Sequence, residues 1–586
     1  MRLKTKVKKY PFMKKSIFTF FLFSISSIVQ AQYNNIPIPQ ALYGSTFDLN
    51  IHESVKQIKS TGNQTVTGSI NNETFWGPTL IMNKGDLVQM NVTNNLNEST
   101  TVHWHGMHLP AVMDGGPHQI IPAGTLWQPY WTMTNDAGTY WYHPHLHETT
   151  EAQITKGVGG LIIVKDAVES ALPLPRNYGV DDIPVIMTSR NFDTSNQFSV
   201  GRAYGDNMLT NGTMNGQITL PKQVVRIRFL NAEIERGYNL GIVNSSGATK
   251  TFYVIGNDGG LLNAPVAVTR LPVHVGERYE ILVDLSGETV GSTLDIKAYN
   301  SGQSNSFPGG EPGQTGQFGS LLNNTTFNVL RINVGATTST PITTIPSTLA
   351  NNTYLTAADA TVNRTVTISG GQPAGNPFVF DNSVFNINTI NKTLTVDTTE
   401  IWTIANTPNA VFGHSFHIHD VQFKIVSRKV GTAAATGPAN YESGWKDTFF
   451  ISRNESVSFV CRFKDFADAT HPFMYHCHFS QHEDDGMMGQ FVVTGTPLGN
   501  NISSASTKFK LYPNPVDNKL FINLDDPLAE IYYITITTLE GRVAMMLPQP
   551  QWQNGIDVSS LSTGVYIVKM MDKATKSITS KKFVKN

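Results

Sequence analysis

Histidine is scarce in this chain, sixteen among 586 residues, yet ten of them fall in four short stretches: HWH at 103–105, HPH at 143–145, HSFHIH at 414–419 and HCHFSQH at 476–482. Imidazole is the commonest protein metal ligand, so this concentration points to a metal-binding centre. Two stretches lie in the N-terminal part and two far along the chain. A site using all four must lie between two distant domains.

On a strand, residues i and i+2 face one side and i+1 the other. The pairs His103/His105, His143/His145, His417/His419 and His476/His478 would each aim two imidazoles at one place. Eight imidazoles suffice for three metal ions, six around a close pair and two on a third. Cys477, between His476 and His478, points away from the cluster those two face and needs a metal of its own. His414 lies three residues before the third pair, and His482 and Met487 lie five and ten residues after Cys477. Two histidines, a thiolate and a weak thioether form the trigonal blue-copper ligand set, which serves electron transfer. One residue of backbone would then separate this copper from the histidine cluster. Zinc explains single clusters. It does not explain a cysteine between two histidines with a methionine ten residues on, because structural zinc sites seldom use thioether sulfur.

The elements that hold these residues read as strands. Forty-eight glycines, thirty prolines and short alternating runs such as LVQMNV at 87–92 and VVRIRF at 224–229 predict an all-β protein with frequent turns. β-Sandwiches or barrels fit this pattern. About 470 residues lie between a leader and a distinct tail, which at about 150 per domain gives three domains, placed at 33–170, 180–335 and 350–496. The middle one has a single histidine, His274 in PVHVGERYEILVDL, read as structural on a strand. The Gly/Ser/Pro-rich run 301–320 is a loop, and Cys461 in SVSFVCRF is a buried small hydrophobe on a strand. A polar linker, GNNISSASTK, precedes a histidine-free β-sandwich at 508–586.

At the other end, the basic MRLKTKVKKYPFMKK is followed by the apolar run Ile17–Val29 and Val-Gln-Ala, which reads as a secretory signal peptide over 1–31, with Met13 an alternative start. Thirteen residues fall short of the roughly 20 needed to cross a bilayer, and no other segment reads as a transmembrane span. With 43 Lys+Arg against 44 Asp+Glu, the chain carries no electrostatic footprint for nucleic acid. The six lysines between Lys569 and Lys585 read as a solvated strand face.

With these residues in view, the chain resembles the multicopper oxidases of the laccase, bilirubin oxidase and cuprous oxidase group, over about 40–496. The four histidine stretches carry the likeness, supported by WGPTLIMNKGDLVQMNVTNNL, GTYWYHPH, GERYEILVDL and HEDDGMMGQF. The resemblance implies three cupredoxin-like Greek-key β-sandwich domains and four coppers. It assigns His414, Cys477, His482 and Met487 to a type 1 copper, His103 and His417 to a type 2 copper, and His105, His143, His145, His419, His476 and His478 to a type 3 pair. It also makes Asp114 and Glu483 the acids that deliver protons to dioxygen. His108, His118, His147 and His471 match no ligand position. The tail resembles the sorting domain of the type IX secretion system through YPNP, LEGRV and GVYIVKM. That implies a secreted or cell-surface protein of a Gram-negative bacterium of the Bacteroidetes type, recognised by type IX machinery, with the tail removed during export or attachment.

The expected activity is oxidation of a small reducing substrate through the edge of His482, electron passage through Cys477, and reduction of dioxygen to water by a monomer. Residues 336–376 contain no methionine, which favours phenols or aromatic amines over cuprous ions. Two other classes compete: a metallo-oxidase acting on Cu(I) or Mn(II), and a secreted copper-binding protein without turnover. A copper nitrite reductase would lack the type 3 pair, which four complete His-x-His pairs argue against.

Overall fold

The structure, a computed structural model, describes residue 6 and residues 32–586 apart from 305, 372–375, 408–411, 496–508, 525–530, 539–542, 549–553 and 573–577. The expected signal peptide at 1–31, residue 6 apart, and the whole of the expected linker lie outside the described residues. Two compact units emerge, Met1–Leu394 with Thr398–Val493, and Thr395–Asp397 with Thr494–Asn586. Strands dominate both. The α-helices among the described residues are three short ones, Thr150–Thr155, Ala167–Ser170 and Ser480–Asp484, and no helix is long and apolar enough to cross a membrane.

Three pairs of sheets build the first unit. Strands between Ala41 and Lys165 form two sheets, those between Asp182 and Gly335 two larger ones, and those from Val362 onward two more. One strand breaks this partition. Asn34–Asn35 pairs with Gly216–Gln217 rather than with its neighbours in sequence. Period-two alternation explains most strands: along Leu87–Asn94 every second residue is buried, as it is through most of Thr398–Asn406. Val224–Asn231 departs from this, being buried on both faces. Its arginines do not reach water, because Arg226 and Arg228 pair with Glu280, and Arg228 also with Asp182 and Thr139. A buried cation is tolerable only when paired and fully hydrogen-bonded.

In the second unit, Phe509–Tyr512, Lys519–Leu524 and Ile556–Asp557 form one sheet, and Ile531–Thr538, Val543–Pro548, Gly564–Asp572 and Ile578–Lys585 another. Phe509, Val516, Leu520, Ile534, Val568 and Phe583 form its core. Of the six lysines expected on a solvated face, Lys581 and Lys582 are exposed and Lys569 is half-buried, but Lys585 is buried. Lys573 and Lys576 lie outside the described residues.

Candidate metal centre

The four histidine stretches meet because two pairs of antiparallel strands put them in register. His103–His105 lies beside Gly138–His143 with His103 opposite His143. His414–Ile418 lies beside Asp468–Cys477 with His417 opposite His476. Each His-x-His pair projects from a strand or its end, with ring centroids 5.7, 6.1, 5.1 and 5.4 Å apart along the chain order.

None of the four pairs aims at one point; each divides. His145 Nε2 lies 3.2 Å from both His419 Nε2 and His476 Nε2. A second triplet brings His105 Nδ1 within 3.4 Å of His143 Nε2 and 3.2 Å of His478 Nε2. His143/His145 and His476/His478 therefore contribute one residue to each triplet. The remaining two, His103 and His417, present Nε2 atoms that are buried and have no hydrogen-bond partner. Their Nδ1 atoms donate to the carbonyls of Asp114 (3.0 Å) and Asp447 (2.8 Å), so the bare nitrogens carry lone pairs.

Cys477 faces away from this cluster, as its strand position requires. Its Sγ lies 3.7 Å from His414 Nδ1 and 3.6 Å from His482 Nδ1, and those nitrogens are 3.2 Å apart. Met487 is fully buried, and its backbone is bonded to two of the three residues it was expected to join: Cys477 N donates to Met487 O, and Met487 N to His482 O. His482 is 6% exposed while His414, Cys477 and Met487 are sealed, so of these four described residues only His482 reaches outward. Phe378 and Phe479 flank it, at 4.6 and 5.3 Å between ring centroids.

Protonation favours metal at most of the ligand histidines, while at His145 burial is outweighed by Glu483, which raises it, and burial pushes the Cys477 thiol up. Burial, reinforced by mutual repulsion, holds His105, His143, His414, His417, His419 and His478 well below the usual histidine range, and burial alone takes His482 to about 3. Neutral imidazoles are what a metal requires. The donor set fits copper: grouped nitrogens with no protein partner, and a trigonal nitrogen and sulfur site.

Both expected carboxylates lie behind the cluster. Asp114 Oδ2 is 2.6 Å from His419 Nδ1, and Oδ1 is 3.5 Å from His103 Nδ1. Glu483 lies 3.0 Å from His145 Nδ1 and 3.3 Å from His476 Nδ1. Burial opposes its charge, but those two histidines outweigh burial and hold its carboxyl well below the usual carboxylate range. The other histidines stand apart: His108 binds Asp420 and Asp465, His118 Gln490, His471 Asp468, and His147 packs on Phe385. His274 is buried and stacked on Phe450 at 4.0 Å, and Cys461 is buried on its strand.

Sequence reasoning missed two neighbours. Asp447 touches both His105 and His417. Glu235, buried in the middle third, has an unpartnered Oε1 3.9 Å from His482 Nε2, and burial together with Glu151 and Asp485 lifts its carboxyl to about 8. Neither carries a motif.

Residues 53–169 and 350–496 each match a family model described as multicopper oxidase, and residues 510–586 match a secretion system C-terminal sorting domain. The chain is 30% identical over 434 residues to the multicopper oxidase mco of Staphylococcus haemolyticus, covering 72% of this chain and 83% of that protein. It is 31% identical over 436 residues to the cell division protein FtsP of Escherichia coli, covering 73% and 85%. Among solved structures it superposes on the laccase-like multicopper oxidase CueO of Ochrobactrum sp., described as active towards lignin model compounds and lignosulfonate, with a TM-score of 0.68, 28% identity, and coverage of 78% of this chain and all of that one.

Proposed function

Because the chain belongs to the multicopper oxidase family, whose cupredoxin β-sandwich architecture it shares, we propose that it is a secreted oxidase coupling one-electron oxidation of phenols or aromatic amines to the reduction of dioxygen to water. His414, Cys477, His482 and Met487 would hold a mononuclear copper; His103 and His417 a second; His105, His143 and His478, and His145, His419 and His476, a close pair. Copper so held supplies one-electron acceptance at the first centre and four-electron reduction of dioxygen at the other three. All ligands come from one chain, so the site asks for no second copy.

The observation that carries this reading is the division of His476 and His478 between the two triplets, with Cys477 between them in a separate trio. The chain itself thus links the two centres by the shortest covalent route. His482 offers its outward edge to the donor beside the rings of Phe378 and Phe479. Asp114 and Glu483, each against the Nδ1 atoms of two ligand histidines, hold the positions from which protons would reach the cluster.

Metal analysis with an oxygen-uptake screen tests the proposal. Reconstituted protein should hold about four coppers, the family's complement for a ligand set of this chemistry, and should consume oxygen with phenols; far fewer coppers, or no uptake with any donor, would refute it. The second outcome would favour a copper-binding protein without turnover. Glu235 beside His482 favours a second reading, oxidation of cations such as Cu(I) or Mn(II). In that case Glu235→Gln should raise KM for the metal ion while leaving phenol oxidation intact.

The C-terminal sorting domain supports export by type IX machinery to the exterior or surface of a Gram-negative cell.

A further inference from the structure

Among the described residues, the middle third of the chain presents no ligand to the histidine cluster, yet its Gly276-Glu277-Arg278 corner, the start of GERYEILVDL, lies against it. Gly276 adopts φ +84°, and a Cβ there would come within 2.7 Å of the His478 ring, so the backbone approaches the cluster as closely as glycine allows. Arg278 is wholly buried and uses all five of its N–H groups. Nε donates to Thr139 O at 3.2 Å, Nη1 to Gly276 O at 2.9 Å and Asp447 Oδ1 at 2.7 Å, and Nη2 to Asp258 O at 3.0 Å and Asp447 Oδ2 at 2.5 Å. One guanidinium thereby joins all three pairs of sheets of the first unit.

Asp447, held by this fork, reaches two cluster histidines. Its Oδ1 accepts from His105 Nε2 at 3.1 Å and from the Thr448 hydroxyl at 2.9 Å, and its carbonyl accepts from His417 Nδ1 at 2.8 Å. His105 is the odd member of the cluster. The other five triplet histidines converge through Nε2, whereas His105 converges through Nδ1. A histidine inverted in this way needs an acceptor behind Nε2, and Asp447 Oδ1 is that acceptor. Partners behind a ligating imidazole fix its tautomer and its aim.

We infer that Arg278 is a positioning residue of the trinuclear centre: by fixing Asp447 it sets the tautomer and aim of His105 and His417, so that the middle domain, which binds no copper, governs assembly of a cluster on the other two. The inference rests on the copper reading above.

The test uses full-length, copper-loaded protein and two variants. Arg278→Lys keeps the buried charge and loses the fork; Asp447→Asn keeps the volume and loses the ion pair. Wild type should show both the blue type 1 band and a type 2 EPR signal; failure of this control would overturn the copper reading itself. In both variants the blue band should persist, the type 2 hyperfine pattern should change, and a chelator should remove cluster copper about 10–100-fold more readily, the usual effect of losing a partner behind a metal ligand. Should both retain the wild-type type 2 spectrum and chelator resistance, Arg278 has no positioning role. Equal loss of type 1 and cluster copper, or failure of both variants to fold, would likewise overturn the inference, reducing the pair to general scaffold.

Discussion

At the scale of single residues, the centre depends on which nitrogen of each imidazole is left bare. His103 and His417 turn Nδ1–H to backbone carbonyls and leave Nε2 free, while Cys477 is the only thiol near any of them. Cys477→Ser should therefore abolish the blue band and reduce turnover to the uncatalysed background; colour or oxygen uptake surviving that change would remove the mononuclear copper from this position. Glu483 contacts the Nδ1 sides of His145 and His476 and carries no copper role. Glu483→Gln should keep the blue band and lower kcat by on the order of 10², the low end of what a positioned acid or base contributes. Stopped-flow reoxidation of the reduced enzyme checks this, since a slow oxygen step with normal substrate oxidation is the expected pattern.

Among the elements, the strand ends do the positioning, and the loops that follow them are tied across domain boundaries. His108, three residues past the first ligand pair, donates to Asp420, which directly follows His419, at 2.7 Å and meets Asp465 at 3.0 Å. Burial lowers its affinity for a proton, but Asp420 and Asp465 outweigh burial and raise it to about 10. A group whose pKa rises on folding contributes stability that is complete below its unfolded value, about 6.5, and is lost as pH climbs through the folded one. Wild type should thus exceed His108→Gln in Tm at pH 6, and the gap should close as pH rises towards 10. A gap independent of pH in calorimetric scans would mean that His108 stays neutral. Asp484 is tied across in the same way. It accepts from the backbone N–H groups of Thr150 and Glu151 at 3.0 and 2.8 Å, at the start of the helix Thr150–Thr155, which it thereby caps.

The molecule as a whole places its candidate metal centre between sheets far apart in sequence, which bound copper would join. Ligands drawn from residues 103–145 and 414–478 converge only in the folded state, so copper stabilises that state over the unfolded chain. At free copper of about 100 times Kd, linkage gives about 2.7 kcal/mol per site. Stripping copper should lower Tm, and titrating it back should raise Tm with copper concentration; a Tm indifferent to copper would argue against a site spanning these sheets. The second unit has its own two sheets and its own core, consistent with a sorting module whose work is separate from oxidation.

Much of this was legible in the sequence because its signals are local. A period of two aligns His103 with His105 and sets Cys477 opposite its neighbours, and alternating apolar residues mark Leu87–Asn94 as a strand. The same rule predicted that each pair would share one target, and it failed because every pair divides between two groups of nitrogens, a grouping that depends on how separate strands face each other. Asp447 lies 342 residues from His105 and 169 from Arg278, and Glu235 reaches His482 from a different sheet pair. The sequence by itself determined the ligand types, their spacing on strands and the export tail, all properties of short segments. Tertiary structure alone decided the tautomers, the buried ion pairs and the grouping of nitrogens, because these arise where surfaces distant along the chain exclude water from one another.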